Sequence, residues 1–320
     1  MYDVTALGEL LIDFTPSGIS EQSNPLYEQN PGGAPANVLV SLSRSGKKGA
    51  FIGMVGKDQF GSFLRSTLQK ENIETRGLKT SNDINTTLAF VHLNSTGDRS
   101  FSFYRNPGAD LMLRPEDIDW QLIKDSRVFH FGSVSMTGEP AKSATFAAAR
   151  FAKENGILVS NDPNYRPLLW KSKQEAQTVI REGLQYTDIL KVSDEEMELI
   201  TGTADLEEGA GILYQQGITM IFVTLGPRGC FFYCSAGSGL IPSFSVKTID
   251  TTGAGDAFWG TMLSHLCTKT KQELTQISKL EIQKIVEFSC AAGALTTMKK
   301  GAIPGIPTKE EIEAFIKDRI

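Results

Sequence analysis

From about residue 127 onward, the chain alternates short apolar strands with amphipathic helices. "RVFHFGS" reads as a strand, and "EPAKSATFAAARFAKENG" as a helix stopped by glycine. "ILVSNDPN" is a second strand, followed by a helix over about 172–185. "DILKVS" and "GITMIFVTLG" are strands around the short helix "DEEMELITG". "GCFFYCS" and "FSVKTID" read as further strands. "GDAFWGTMLSHLC" and "EIQKIVEFSCAAGALTTMKKG" are helices, and Thr308 with Glu311 forms a capping box for a last one. Strands that alternate with helices need crossover connections. The chain is therefore expected to be α/β, with a mostly parallel central sheet covered on both faces. Ligands of such sheets bind beyond the carboxyl ends of the strands.

The first half is more mixed. "DVTALGELLIDFTP" reads as one apolar strand and a polar turn. "GGAPANVLVSLSRSG" is a Gly-Gly turn opening a helix, "GAFIGMVG" a buried strand and "DQFGSFLRSTLQKENI" a helix. "TTLAFVHLN" and "RSFSFYRN" flank "STGD", which predicts a hairpin. With residues from about 11 to 30, this region predicts a small sheet apart from the main one. No internal repeat or low-complexity linker divides the 320 residues, so one large domain is expected.

Net charge is −5, with acids and bases interspersed. No basic stripe is available to neutralise a nucleic-acid backbone. The four cysteines (Cys230, Cys234, Cys267, Cys290) form no C-x-x-C pair, and the three histidines lack zinc spacing. The N-terminal segment reads as a strand rather than a signal peptide, and no apolar run reaches the length of a membrane span. The expectation is a reduced, cytoplasmic protein.

The segment carrying most chemistry is "DTTGAGDAF" (250–258), between a predicted strand and a predicted helix. Gly253, Ala254 and Gly255 let backbone N–H groups face one concavity, and the helix start adds a partial positive charge. That combination binds phosphate. Asp256 lies in the same place, where a carboxylate opposes anion binding. Its natural task is to accept a proton from a hydroxyl that attacks the phosphorus. The plainer reading is a helix cap with glycines for close packing. No Walker A loop is present.

"DTTGAGDAF" together with "NPGGAPANV" resembles the two signature segments of the ribokinase-like sugar kinases, the PfkB family. "GELLIDF", "FIGMVGKDQFG", "FYRNPGADLML", "DPNYRPLLW", "VTLGPRG" and "TTMKKGAIPGIP" follow in family order over nearly the whole chain. The resemblance implies a ribokinase-like three-layer fold with a small β-sheet lid (about 11–30 and 85–106), ATP with Mg2+, and a sugar substrate. By position, Asp256 matches the catalytic base, and Gly253, Ala254 and Gly255 match the anion hole. Asp13, Gly33 and Asn37 match sugar-binding positions. "KVSDEEMELI" matches the segment that organises Mg2+, through Glu196 by way of water. Lys191 and Ser193 fall on the nucleotide side, Ser193 standing where relatives carry asparagine. Ser193 and Glu196 equally form a capping box. Thr224, Gly226 and Gly229 match the nucleotide turn, and Cys290 falls near the adenine position. Asp250, Thr252, Thr296, Lys299, Gly301 and Gly305 match the site of an activating monovalent cation such as K+.

Within the family the segments look most like fructokinases. Arg105 and Arg166 match substrate-region positions shared with 2-keto-3-deoxygluconate kinases, and arginine suits a carboxylate. A keto acid or another sugar therefore stays open beside fructose, as does a remote reading as a non-catalytic sugar sensor. The resemblance also implies a homodimer formed through the lid. His92, His130 and His265 are read as structural.

Overall fold

The computed structural model describes residues 1–93 and 99–319. Its strands are β1 (Tyr2–Leu7), β2 (Leu11–Ile19), β3 (Pro25–Gly32), β4 (Gly49–Gly56), β5 (Glu74–Ser81), β6 (Leu88–Leu93) and β7 (Arg99–Tyr104). They continue with β8 (Ser126–Gly132), β9 (Leu158–Asp162), β10 (Ile189–Ser193), β11 (Met220–Thr224), β12 (Cys230–Cys234) and β13 (Gly237–Ile241). The main sheet has the order β13-β12-β11-β10-β9-β8-β1-β4-β5. Every pairing from β5 to β11 is parallel, and only the β11–β12 and β12–β13 pairings at one edge are antiparallel. A second sheet has the order β3-β2-β6-β7. The α/β class and the small separate sheet are as expected.

Helices cover both faces of the main sheet. Ala34–Arg44, Gln59–Lys70, Ala254–Leu266 and Lys279–Thr296 bury apolar residues in one core. Ala141–Glu154, Lys173–Leu184, Asp194–Thr201 and Leu206–Gln215 bury theirs in the other. Strands buried on both sides read as continuous apolar runs, which is why "GAFIGMVG" and "RVFHFGS" are legible. Among the described residues no helix is long and apolar enough to cross a membrane.

Three expectations change. "DVTALGELLIDFTP" is two strands in different sheets, because the chain leaves β1 at Gly8 and enters β2 at Leu11. A side chain at residue 8 would strike Pro35 at 2.6 Å, so glycine permits this crossing. "FSVKTID" is not a strand. Phe244 and Val246 alternate as a strand would, but pack against a small core of Ala291, Ala292, Ile312 and Phe315. The edge strand is instead β13, "GSGLI", whose glycines hid it. The polar strand β5 likewise carries no strong pattern. The "STGD" turn lies outside the described residues, while its flanking strands β6 and β7 pair antiparallel.

One contact sets the position of the site. A Cβ on Gly260 would sit 2.3 Å from the Val38 carbonyl oxygen, so helices Ala34–Arg44 and Ala254–Leu266 approach backbone to backbone. Ser41 Oγ locks them by donating to Ala257 O at 2.8 Å.

Candidate active site

Strand β1 has β4 on one side and β8 on the other, so the direction of winding switches there. Helix Ala254–Leu266 starts near the carboxyl ends of β9 and β10, where Lys191 meets Gly255. Gly253 is its N-cap, with φ of 78°, a left-handed conformation that favours glycine. A Cβ there would also meet Ala302 Cβ at 2.8 Å. First-turn N–H groups lack intrahelical partners. Ala254 N–H makes one long turn bond, to Thr251 O at 3.3 Å.

Asp256 follows in that first turn. Asn37 Nδ2 donates to Asp256 Oδ2 at 2.8 Å, and no described group donates to Oδ1. Burial pushes the Asp256 carboxyl above its ordinary value, against the pull of Lys191 and the Asn37 amide. Asn37 is itself buried, and its Oδ1 has no partner. Gly33 caps the Asn37 helix with φ of 117° and leaves no room for a Cβ, which would lie 2.4 Å from Glu9 O.

Asp13 comes from β2 in the second sheet. Burial pushes its carboxyl up to about 7; Arg166 opposes this, while Asp256 and Asp250 reinforce it. Asp13, Asp256 and Arg166 thus share one electrostatic neighbourhood. Arg166 is exposed, with one bond, to Tyr165 O at 3.3 Å. Arg105 is different. It is buried, and its Nε and Nη2 both donate to Asp110 Oδ2, at 2.8 and 2.5 Å. Nη1 donates to Thr137 Oγ1 and Nη2 to Val134 O. Four of its five N–H groups are engaged.

On the other side of Asp256, Lys191 Nζ donates to Asp162 Oδ2 at 2.6 Å. Burial pulls this ammonium down, but Asp162, Glu196 and Asp256 hold it above its ordinary value. Ser193 and Glu196 form the capping box in full. Both Glu196 oxygens accept backbone N–H groups, from Tyr165 at 2.6 Å and Ser193 at 2.8 Å. Ser193 pairs in register with Thr224. Gly226 and Gly229 follow in the adjoining turn, fastened by Arg228 to Asp194 at 2.7 Å. Gly229 is required by packing, since a Cβ would sit 2.0 Å from Ile241 O. Cys290 is a buried thiol pushed up to about 12, and all four cysteines are free.

Asp250 ties two segments together, accepting from Thr252 N at 2.8 Å and Gly301 N at 3.0 Å. Gly305 lies against the Thr296 carbonyl. The Lys299 side chain points away, into an exposed pair with Glu311. Among the described residues no group of three acidic, His or Cys side chains could hold a metal by itself.

Sequence reading missed Asp162, Asp110 and Glu9. Each is a buried carboxylate, and Asp162 and Glu9 stand just where a strand ends or turns. Such positions in an α/β sheet were the available signal.

The family model for pfkB family carbohydrate kinases matches residues 1–309. The chain is 42% identical over 318 residues to Fructokinase-2 of Solanum lycopersicum, covering 98% of this chain and 96% of that one. It superposes on a fructokinase with bound ATP from Xylella fastidiosa with a TM-score of 0.92 at 33% identity, covering 100% and 99% of the two chains. A Vibrio cholerae fructokinase bound to fructose, ADP and calcium gives 0.87 at 35% identity, covering 98% of each. The chain belongs to the PfkB family of carbohydrate kinases, phosphotransferases that act on a sugar hydroxyl. Within it, the full-length relatives reported above all carry the name fructokinase.

Proposed function

We propose that this chain phosphorylates fructose, moving the terminal phosphoryl group of ATP to a primary hydroxyl and releasing fructose 6-phosphate and ADP. The observation that carries the reading is the Asn37–Asp256 pair at the mouth of helix Ala254–Leu266. Asn37 anchors one carboxylate oxygen and leaves the other open to take the hydroxyl proton. Burial keeps that carboxyl basic enough for the task. The first-turn N–H groups of Gly253, Ala254 and Gly255 face the charge that develops on the phosphoryl oxygens.

Asp13, Gly33 and Asn37 serve the sugar, since a carboxylate and an amide offer the mixed acceptors and donors a polyol needs. The engagement of Arg105 by Asp110 favours a neutral sugar over an acid, because that guanidinium is already neutralised. Arg166, whose charge acts on Asp13, is suited to hydroxyl groups at the rim. Lys191, Ser193, Thr224, Gly226, Gly229 and Cys290 form the nucleotide side. Glu196 suits water-mediated contact to a Mg2+ that arrives with ATP, because its oxygens are already bonded to backbone. Mg2+ supplies charge neutralisation on the phosphates. The loop around Asp250, Thr252, Thr296, Lys299, Gly301 and Gly305 takes a monovalent cation through backbone carbonyls. The second sheet acts as a lid that excludes water, the chain works as one domain in the cytoplasm, where ATP is available, and two copies pair through their lids.

A coupled ADP-release assay tests this with fructose, 2-keto-3-deoxygluconate, ribose, glucose and fructose 6-phosphate. The expected result is a kcat/KM for fructose well above the others. In the same assay Asp256→Asn should lose roughly 10²–10⁴ in kcat with sugar binding retained. A preference for the keto acid would overturn the substrate, and a near-normal Asp256→Asn rate would overturn the base.

A further inference from the structure

Lys191 is a cation built into the core of the sheet. It is the third residue of β10, in register with Phe222 of β11. Its side chain is 9% exposed and that of its partner Asp162 is 2% exposed. Burying an ammonium is costly unless it is paired, and an apolar residue would serve packing better. The pair also stands at the carboxyl ends of β9 and β10, where this class of fold does its chemistry.

Two further observations point to a role. Asp162 is the only described acceptor for this ammonium, so two of its three N–H groups stay open. A methyl group placed on Gly255 would lie 3.3 Å from Lys191 Nζ and 3.5 Å from Cε. The ammonium therefore rests against the turn that holds Asp256, in the space that glycine leaves empty. It faces Asp256 as well, pulling that carboxyl down against burial.

We propose that Lys191 is a catalytic residue whose open N–H groups donate to the transferring phosphoryl group, and that Asp162 is the positioning residue that holds it there. This rests on the kinase reading above. The reaction balance is unchanged: the phosphorus–oxygen bond to ADP breaks, the bond to the sugar oxygen forms, and the hydroxyl proton passes to Asp256. Lys191 keeps its protons throughout. Its charge counts most when negative charge is spread over the phosphoryl oxygens, in the transition state.

The test compares wild type with Lys191→Met, Lys191→Arg, Asp162→Asn and the double variant Asp162→Asn with Lys191→Met. Turnover is read beside calorimetric affinities for ADP alone and for ADP with aluminium fluoride, Mg2+ and fructose, a mimic of the transferring group. Lys191→Met should lose roughly 10²–10³ in kcat, as when one preorganised donor is removed. The aluminium fluoride complex should weaken by a similar factor while ADP affinity changes less than about threefold. Lys191→Arg should recover part of the loss, and Asp162→Asn should fall between wild type and Lys191→Met. The double variant removes both members of the buried ion pair, so it should melt higher than Lys191→Met yet turn over as slowly. It carries the test if the single variant does not fold. A Lys191→Met enzyme within about threefold of wild type would overturn the proposal, as would equal weakening of ADP and its aluminium fluoride complex. A wild type that phosphorylates no sugar would overturn the kinase reading along with it.

Discussion

Asp13 is the residue whose environment makes the sharpest pH statement. Burial holds its carboxyl at about 7, far above the ordinary aspartate value of 3.8. The folded chain therefore binds this proton more tightly than the unfolded chain. The resulting stabilisation is complete below the unfolded value and is lost as pH rises through about 7. An amide keeps the shape without the titration. Asp13→Asn should gain melting temperature relative to wild type between about pH 5 and about pH 8, read by thermal melts. A difference that stays flat across that range would sink the assignment. Arg105 shows the converse at the same scale. Its type and position suggest a ligand for substrate, yet Asp110, Thr137 and the Val134 carbonyl already occupy it. Only the fold reveals how many of its donors are taken.

At the scale of elements, the active geometry depends on two helices that touch through a glycine. Helix Ala34–Arg44 carries Asn37, and helix Ala254–Leu266 carries Asp256. Gly260 and Ser41 hold them at the spacing that gives the 2.8 Å bond. Gly260→Val must push the helices apart, because its Cβ alone would overlap Val38 O. Overpacking of this kind costs about 1–3 kcal/mol. The variant should melt lower and also lose kcat, since Asn37 and Asp256 separate. Normal turnover in a destabilised Gly260→Val enzyme would mean the helix spacing does not control the pair.

At the scale of the molecule, the second sheet leaves apolar side chains exposed. Phe14, Tyr27, Phe90 and Tyr104 draw one aromatic cluster from all four of its strands, with ring centroids 4.8 to 5.6 Å apart. Tyr104 is 66% exposed and Ile19 73% exposed. Apolar surface of this kind, on a sheet with open edges, favours burial against a second copy. Sedimentation should find a dimer, and Tyr104→Glu should shift it toward monomer. A wild-type monomer at concentrations well above those of the assay would remove the lid-to-lid arrangement.

The sequence alone determined the α/β class, because strands buried on both faces must be apolar throughout and helices covering them must be amphipathic. It also marked the helix mouth at Gly253–Asp256, since a left-handed cap and a close approach tolerate little but glycine. Local pattern failed where pairing partners, not residue types, decide the state: "FSVKTID" alternates like a strand but meets helices, and "GSGLI" lacks the pattern but completes an edge. The tertiary structure alone decided which charges face each other. Asp162 and Lys191 are 29 residues apart, and Asn37 and Asp256 are 219 apart. Electrostatic and hydrogen-bond partnerships act over a few ångströms in space, and one-dimensional spacing does not encode that distance between adjacent strands or crossing helices.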